Sequence, residues 1–210
     1  SATDPAIEEK ERVLLLQDKC GIQHTDIGLP GAGPRAVADV KHLATFARDQ
    51  KLRINLTCAA RTHPNDIKPI IAISQEVGVP IEVMAFLGSS PIRQFAEGWD
   101  LERMTTLTRD AVKLAVEGGM PCTFVTEDTV RSTPETLKKL FEVALGEGAK
   151  GLCICDTVGH ATPDGVRNIL GWVQQTVREL GYPDTIIDWP GHNDRGWGLV
   201  NAIAAARAGA

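Results

Sequence analysis

The chain has 210 residues, a formal charge of −5, 43% hydrophobic and 23% charged residues. That length suits one domain over 1–210 with a core large enough to need no disulfide or metal staple, and the composition excludes disordered, collagen-like and coiled-coil chains. There is no apolar run of about eighteen residues, no secretory signal and no basic stretch, so the expectation is a cytoplasmic protein without membrane span or nucleic-acid partner.

Thr3-Asp4-Pro5 reads as the opening of a helix, with a capping side chain before a proline at the first helical position. It runs through Val13, Leu14 and Leu16 to a stop near Cys20-Gly21. The apolar segment His24 to Leu29 reads as a strand ending in the turn Pro30-Gly31. A helix over Pro34 to Asp49 then precedes a strand at Leu52 to Thr57, and a helix from Asn65 to Val77 precedes a strand at Ile81 to Phe86. After a longer link that begins at Gly88-Ser89-Ser90-Pro91 come a helix over Leu101 to Glu117 and a strand over Cys122 to Thr126. Thr133-Pro134-Glu135 caps the next helix, and Leu152 to Cys155 is the next strand. Thr162-Pro163-Asp164 caps a helix ending near Leu180-Gly181, followed by a strand at Thr185 to Trp189 and an Ala-rich helix from about Leu199.

This alternation, at a period of about thirty residues, is the pattern of βαβ units on a parallel sheet. The count is about six strands and about seven helices, against the eight strands and about 250 residues of a complete (β/α)8 TIM barrel. The expected fold is therefore an α/β barrel that is incomplete in this chain. A doubly wound sheet is the rival, but its GxGxxG fingerprint is missing, and Gly31-Ala32-Gly33 is only a turn.

Working residues of parallel barrels lie at the C-terminal strand ends. The polar residues there are Asp26, Arg61, Ser89, Ser90, Arg93, Glu127, Asp128, Arg131, Asp156, Thr157 and the run His192-Asn193-Asp194-Arg195. Acids, arginines and a histidine on one rim suit a small anionic substrate and a divalent metal. Asp128 and Asp156 read equally as loop ties or helix caps, and Arg61 and Arg131 as partners of neighbouring carboxylates. His24, His42 and His63 read as ordinary surface or core histidines. Strand alternation places Cys153, Cys155 and Thr157 on one face, and likewise Asp188, Pro190 and His192. The cysteines (Cys20, Cys58, Cys122, Cys153, Cys155) are odd in number and lack CxxC spacing, so they read as small buried hydrophobes rather than a zinc cluster or disulfide framework.

Six segments carry a resemblance: Asp26 to Pro30, Phe86 to Arg93, Glu127 to Ser132, Cys155 to Pro163, Gly191 to Gly196, and Asn201 to Ala210. Together they resemble the 2-isopropylmalate, homocitrate and citramalate synthases, whose metal-dependent barrel is shared with the HMG-CoA lyases. His192-Asn193-Asp194 is similar to the synthase pattern. The resemblance implies a cytoplasmic, homodimeric acyltransferase with a single catalytic barrel, of which 1–210 is a part. Such enzymes condense acetyl-CoA with a 2-oxo acid on a divalent metal ion (Mg, Mn or Zn), giving a 2-hydroxy diacid. It implies His192 as a metal ligand, Glu127 and Arg131 as catalytic residues, and Asp26, Arg93 and Thr157 as substrate-binding residues; Arg61, outside these segments, is expected to bind substrate from its place after the second strand.

The chain departs from the family at several points. Asp26 stands where the family has glutamate, and Arg93 where it often has histidine. Pro190 occupies the place of the first histidine of a His-x-His metal pair, and the Arg-Asp-Gly motif of the first barrel strand is absent. The expectation is that this polypeptide lacks the first and last barrel strands and is inactive alone. The alternatives are a lyase of HMG-CoA type and a non-catalytic barrel partner that has lost its metal.

Overall fold

The computed structural model describes residues 5–210. Among these the elements run α1 (Ile7–Lys19), β1 (His24–Asp26), α2 (Pro34–Asp49), β2 (Asn55–Arg61), α3 (Pro64–Val77), β3 (Ile81–Gly88), α4 (Pro91–Glu97) and α5 (Leu101–Glu117). They continue with β4 (Cys122–Glu127), α6 (Pro134–Gly146), β5 (Gly151–Ile154), α7 (Pro163–Glu179), β6 (Ile186–Asp188) and α8 (Gly198–Arg207). The strands form one parallel sheet in sequence order, β1 to β6. This is the wall of an incomplete (β/α)8 barrel. The wall is curved, because Asp26 at the end of β1 and His192 beyond β6 line one cavity.

Local chemistry sets most helix starts. Proline occupies the first turn of α2, α3, α4, α6 and α7, where its missing N–H costs nothing. Ser90, Asp100, Thr133 and Thr162 accept the orphan N–H of the third helical residue. His63 Nδ1 plays the same part for α3 by accepting from Asn65 N–H at 3.1 Å. Thr3 and Asp4, expected to cap α1, lie outside the described residues. The helix begins at Ile7, two residues after Pro5, and Glu9 Oε2 accepts from Ala6 N–H at 3.1 Å.

Two expectations shift. The second strand starts at Asn55 rather than Leu52, because the chain leaves α2 through Lys51 at φ +54° and Leu52 N–H still bonds Ala47 O. The link after Gly88 holds α4, an eighth helix, started by the same cap-then-proline pair as α6 and α7.

The sheet has two faces. Leu56, Cys58, Ala60, Val83, Ala85, Phe124, Leu152 and Ile154 point outward into the core beneath the helices, where Ile67, Ile70, Leu140, Phe141 and Leu170 are fully buried. Each such side chain contributes roughly 1.5–3 kcal/mol by leaving water. The residues between them on the strands point inward and build the site. No helix of the described residues is long and apolar enough to cross a membrane.

Candidate active site

The inward face ends in a mouth cavity of about 570 Å³. Asp26, Glu127, Thr157 and His192 stand around it, over Thr57, Ala59, Met84, Phe86 and Val125. Cys153, Cys155 and Pro190 line the same cavity, so the strand alternation read from sequence carries past the ends of β5 and β6. The extension is physical: Asp156 N–H bonds Pro190 O at 3.1 Å and His192 N–H bonds Asp156 O at 3.2 Å, prolonging the ladder beyond Ile154.

Each rim group has a definite environment. Asp26 Oδ1 accepts from Gly28 N–H at 2.8 Å, and burial pushes its carboxyl above the ordinary range, against the pull of backbone amides. Thr157 Oγ1 accepts from Asp128 N–H at 2.7 Å. That amide is aimed by Asp128 itself, a non-glycine residue at φ +64°. Glu127 lies 3.7 Å from Arg93 Nη2, which also meets Glu97 at 3.1 Å. Gly88 makes room for this arginine, since a Cβ there would sit 2.6 Å from Arg93 Nε.

The other two arginines are engaged by buried acids. Arg61 forks onto Asp66, with Nε–Oδ2 at 2.7 Å and Nη2–Oδ1 at 2.8 Å, and its backbone N–H adds a third bond at 3.1 Å. Burial alone would raise the Asp66 carboxyl, but these bonds bring it below its ordinary value. Arg131 Nε bonds Asp128 Oδ1 at 2.7 Å, and its guanidinium is not in the mouth cavity. Both acids are only 1% exposed. Arg61 and Arg93 instead border a second cavity of about 570 Å³, with His63, Trp99 and Arg103, which shares Phe86 and Glu127 with the first.

The remaining polar residues hold loops. Asp156, fully buried, accepts from His160 N–H at 3.0 Å and Ala161 N–H at 3.1 Å. Ser89 Oγ meets Ser132 Oγ at 2.7 Å, joining the loops after β3 and β4. Asn193 Oδ1 accepts from Gly198 N–H at 2.8 Å, and Arg195 donates to His160 O at 3.1 Å while stacking over Trp197. His42 Nε2 meets Glu11 at 2.6 Å. Deeper in the barrel, burial and the Glu82 carboxylate raise the Asp188 carboxyl, opposed by His24. Sequence reasoning missed Asp66 and the Asp128–Thr157 contact. The spacing of Asp66 from Arg61 was visible, but its burial was not.

Among the described residues no three His, Cys, Asp or Glu side chains stand together as a group that could hold a metal ion. His192 has Pro190, not a second imidazole, beside it on the inward face. These residues alone do not fit the divalent-metal set that the resemblance implies.

Comparison with known proteins adds three findings. The HMGL-like family model matches residues 3–210. Among curated proteins, the chain is 27% identical to the 2-isopropylmalate synthase of Shouchella clausii over 97% of its own length and 38% of that protein. It is 28% identical to the 2-isopropylmalate synthase of Lactococcus lactis subsp. cremoris, over 98% of this chain and 39% of that protein. The chain thus spans about two fifths of these relatives. Among solved structures, it superposes on the HMG-CoA lyase of Bacillus subtilis with a TM-score of 0.74 at 17% identity, covering 99% of this chain and 68% of the other. For the HMG-CoA lyase of Brucella melitensis the TM-score is 0.69 at 16% identity, over 99% and 72%. At such identities the structural likeness speaks to fold.

Proposed function

The chain belongs to the HMGL-like family, and from that premise we propose that it supplies six strands of the catalytic barrel of an acyltransferase joining acetyl-CoA to a 2-oxo acid. The acetyl methyl loses a proton, the enolate carbon attacks the keto carbon, and thioester hydrolysis releases CoA and a 2-hydroxy diacid. The name carried by the curated relatives favours this condensation over the reverse type of cleavage.

Within the chain one observation carries the reading. Thr157 Oγ1 accepts from the Asp128 amide at 2.7 Å inside the cavity shared with Asp26, Glu127 and His192. A hydroxyl so engaged keeps its own proton for an anion in the cavity. We assign that anion to the carboxylate of the 2-oxo acid. Glu127, at the end of the neighbouring strand β4, is the proton-handling group of this reading, with Arg93 beside it as counter-charge. Asp26 and His192 complete the rim around the keto group. Arg131 is a positioning residue, since it acts on Thr157 through Asp128. No step here passes through a metal ion, for which the described residues do not form a set.

Pro190 carries a second reading, a barrel that binds rather than catalyses. One experiment separates them. The whole protein that carries this chain, with its barrel complete, is mixed with a divalent metal salt and either carbon-13-labelled acetyl-CoA plus, in turn, 2-oxoisovalerate, 2-oxoglutarate or pyruvate, or labelled HMG-CoA alone, and products are read by mass spectrometry. A labelled diacid that needs one particular 2-oxo acid, and is lost in Thr157→Val, is the expected result. Cleavage of labelled HMG-CoA with no diacid would give the lyase reading, and no turnover with any substrate would give the non-catalytic one.

A further inference from the structure

The mouth reading leaves two nucleophiles unused. Cys153, at the inner wall on β5, and Cys155, one residue beyond its end, line the mouth cavity with their Sγ atoms 3.8 Å apart. Cys153 is buried and Cys155 half-buried. The other cysteines are elsewhere: Cys20 is exposed, and Cys58 and Cys122 are buried on the outer face of the sheet with Val83 between them in the register.

The spacing decides what such a pair takes. Two residues apart on an extended strand, the Cα atoms are separated by about 6.6 Å, near the upper limit of about 6.8 Å for a disulfide. Closing a sulfur–sulfur bond would bend the strand that carries Thr157. An atom inserted between the sulfurs bridges them without drawing the backbone together. We propose that Cys153 and Cys155 form a dithiol site for a soft, thiophilic electrophile that bonds both sulfurs, of the trivalent arsenical class, at the wall of the mouth cavity.

The chemistry balances without an oxidant. An organic arsenic(III) oxide condenses with two thiols: two As–S bonds form, the arsenic–oxygen bond breaks, and the oxygen leaves as water with both thiol protons. Arsenic stays trivalent. The Cys155 contact, burial and the Asp188 and Glu82 carboxylates all push the Cys153 thiol up. Disulfide exchange, which needs a thiolate, is disfavoured there, whereas condensation consumes the protonated thiol directly. The organic substituent on arsenic then projects into the cavity beside Thr157. This site stands on the sulfur geometry and is independent of the proposed reaction.

The test uses phenylarsine oxide at one equivalent on the full chain, a wash with 2-mercaptoethanol, then a wash with 2,3-dimercaptopropanol, with intact mass read after each. The expected result is one arsenical per chain that survives the monothiol and is released by the dithiol. Retention should fall at least tenfold in Cys155→Ser and in Cys153→Ser and be unchanged in Cys20→Ser. Native-state maleimide labelling should show Cys155 protected by the arsenical. Cys155 is half-buried, so Cys155→Ser keeps the test valid even where Cys153→Ser fails to fold. Loss of the arsenical to the monothiol, or full retention in Cys155→Ser, overturns the proposal.

Discussion

Replacing Gly31 by alanine tests how the second cavity is held. The backbone at Gly31 is one that any residue adopts, so conformational strain does not enter. The obstacle is Asp66. A Cβ on residue 31 would lie 2.6 Å from Asp66 Oδ2 and closer still to Cγ and Oδ1. Asp66 is 1% exposed and held by three donors of Arg61, so its carboxylate has nowhere to swing. Inserting one carbon into such a contact costs about 1–3 kcal/mol. With a urea slope of about 2 kcal/mol/M, the unfolding midpoint of Gly31→Ala should fall by roughly 1 M while the slope stays fixed. The decisive arm is the same change in an Asp66→Ala background, which removes all three clashing atoms. There the cost should shrink to about 0.5 kcal/mol or less, a strong non-additivity between touching residues. Equal midpoint shifts in the two backgrounds, or none in the parent, would refute the reasoning.

Other consequences are as direct. Asp188 has its carboxyl raised by burial and by Glu82, so the native state favours its protonated form. Its contribution is complete below the unfolded value of about 3.8 and is lost as pH rises through the folded value. Asp188→Asn should therefore unfold at higher temperature than the parent at pH 7 and match it near pH 3, by scanning calorimetry. Asp128 sits at φ +64°, where an L side chain costs about 1–2 kcal/mol. Asp128→Gly should exceed Asp128→Ala in urea stability by about 1 kcal/mol, since both lose the Arg131 pair and only one sheds the strain. Pro190→His should leave the unfolding free energy within about 0.5 kcal/mol of the parent, because position 190 is exposed and only its carbonyl bonds the sheet. It should raise Ni²⁺ affinity at least tenfold by titration calorimetry, through a second imidazole beside His192.

What was legible in the sequence was what short-range physics decides. Proline after a capping residue marks the starts of α6 and α7, and the period of two puts Cys153, Cys155, Thr157, Pro190 and His192 on one face. The same cap-then-proline signal stands at Ser90-Pro91, but the seven residues of α4 carry too little periodicity to compete with a loop reading. β2 starts at Asn55, past the expected Leu52, because Lys51 turns through a left-handed conformation that its side chain does not announce. The Asp128 turn was hidden for the same reason, and with it the amide that orients Thr157.

The arginines show why residue type alone misleads at such a mouth. A rim arginine in a sequence suggests an anionic ligand, yet Arg61 and Arg131 each answer a carboxylate that the fold has already buried to 1% exposure. The cost of a buried acid falls on whichever donor is nearest in the chain, here within five residues. Asp156 has no such arginine and is satisfied by the His160 and Ala161 amides instead. The demand comes from the acid, so the acids at strand ends must be satisfied first and only the donors left over can serve a ligand. Applied to the whole rim, that ordering sets aside Arg61 and Arg131, already engaged, and leaves the Thr157 hydroxyl and Arg93. Arg93 has buried Nε without a partner and only the looser contacts to Glu97 and Glu127. The two remaining donors stand on opposite sides of Glu127's strand, the Thr157 hydroxyl in the mouth cavity and Arg93 in the second cavity that shares Glu127 with it.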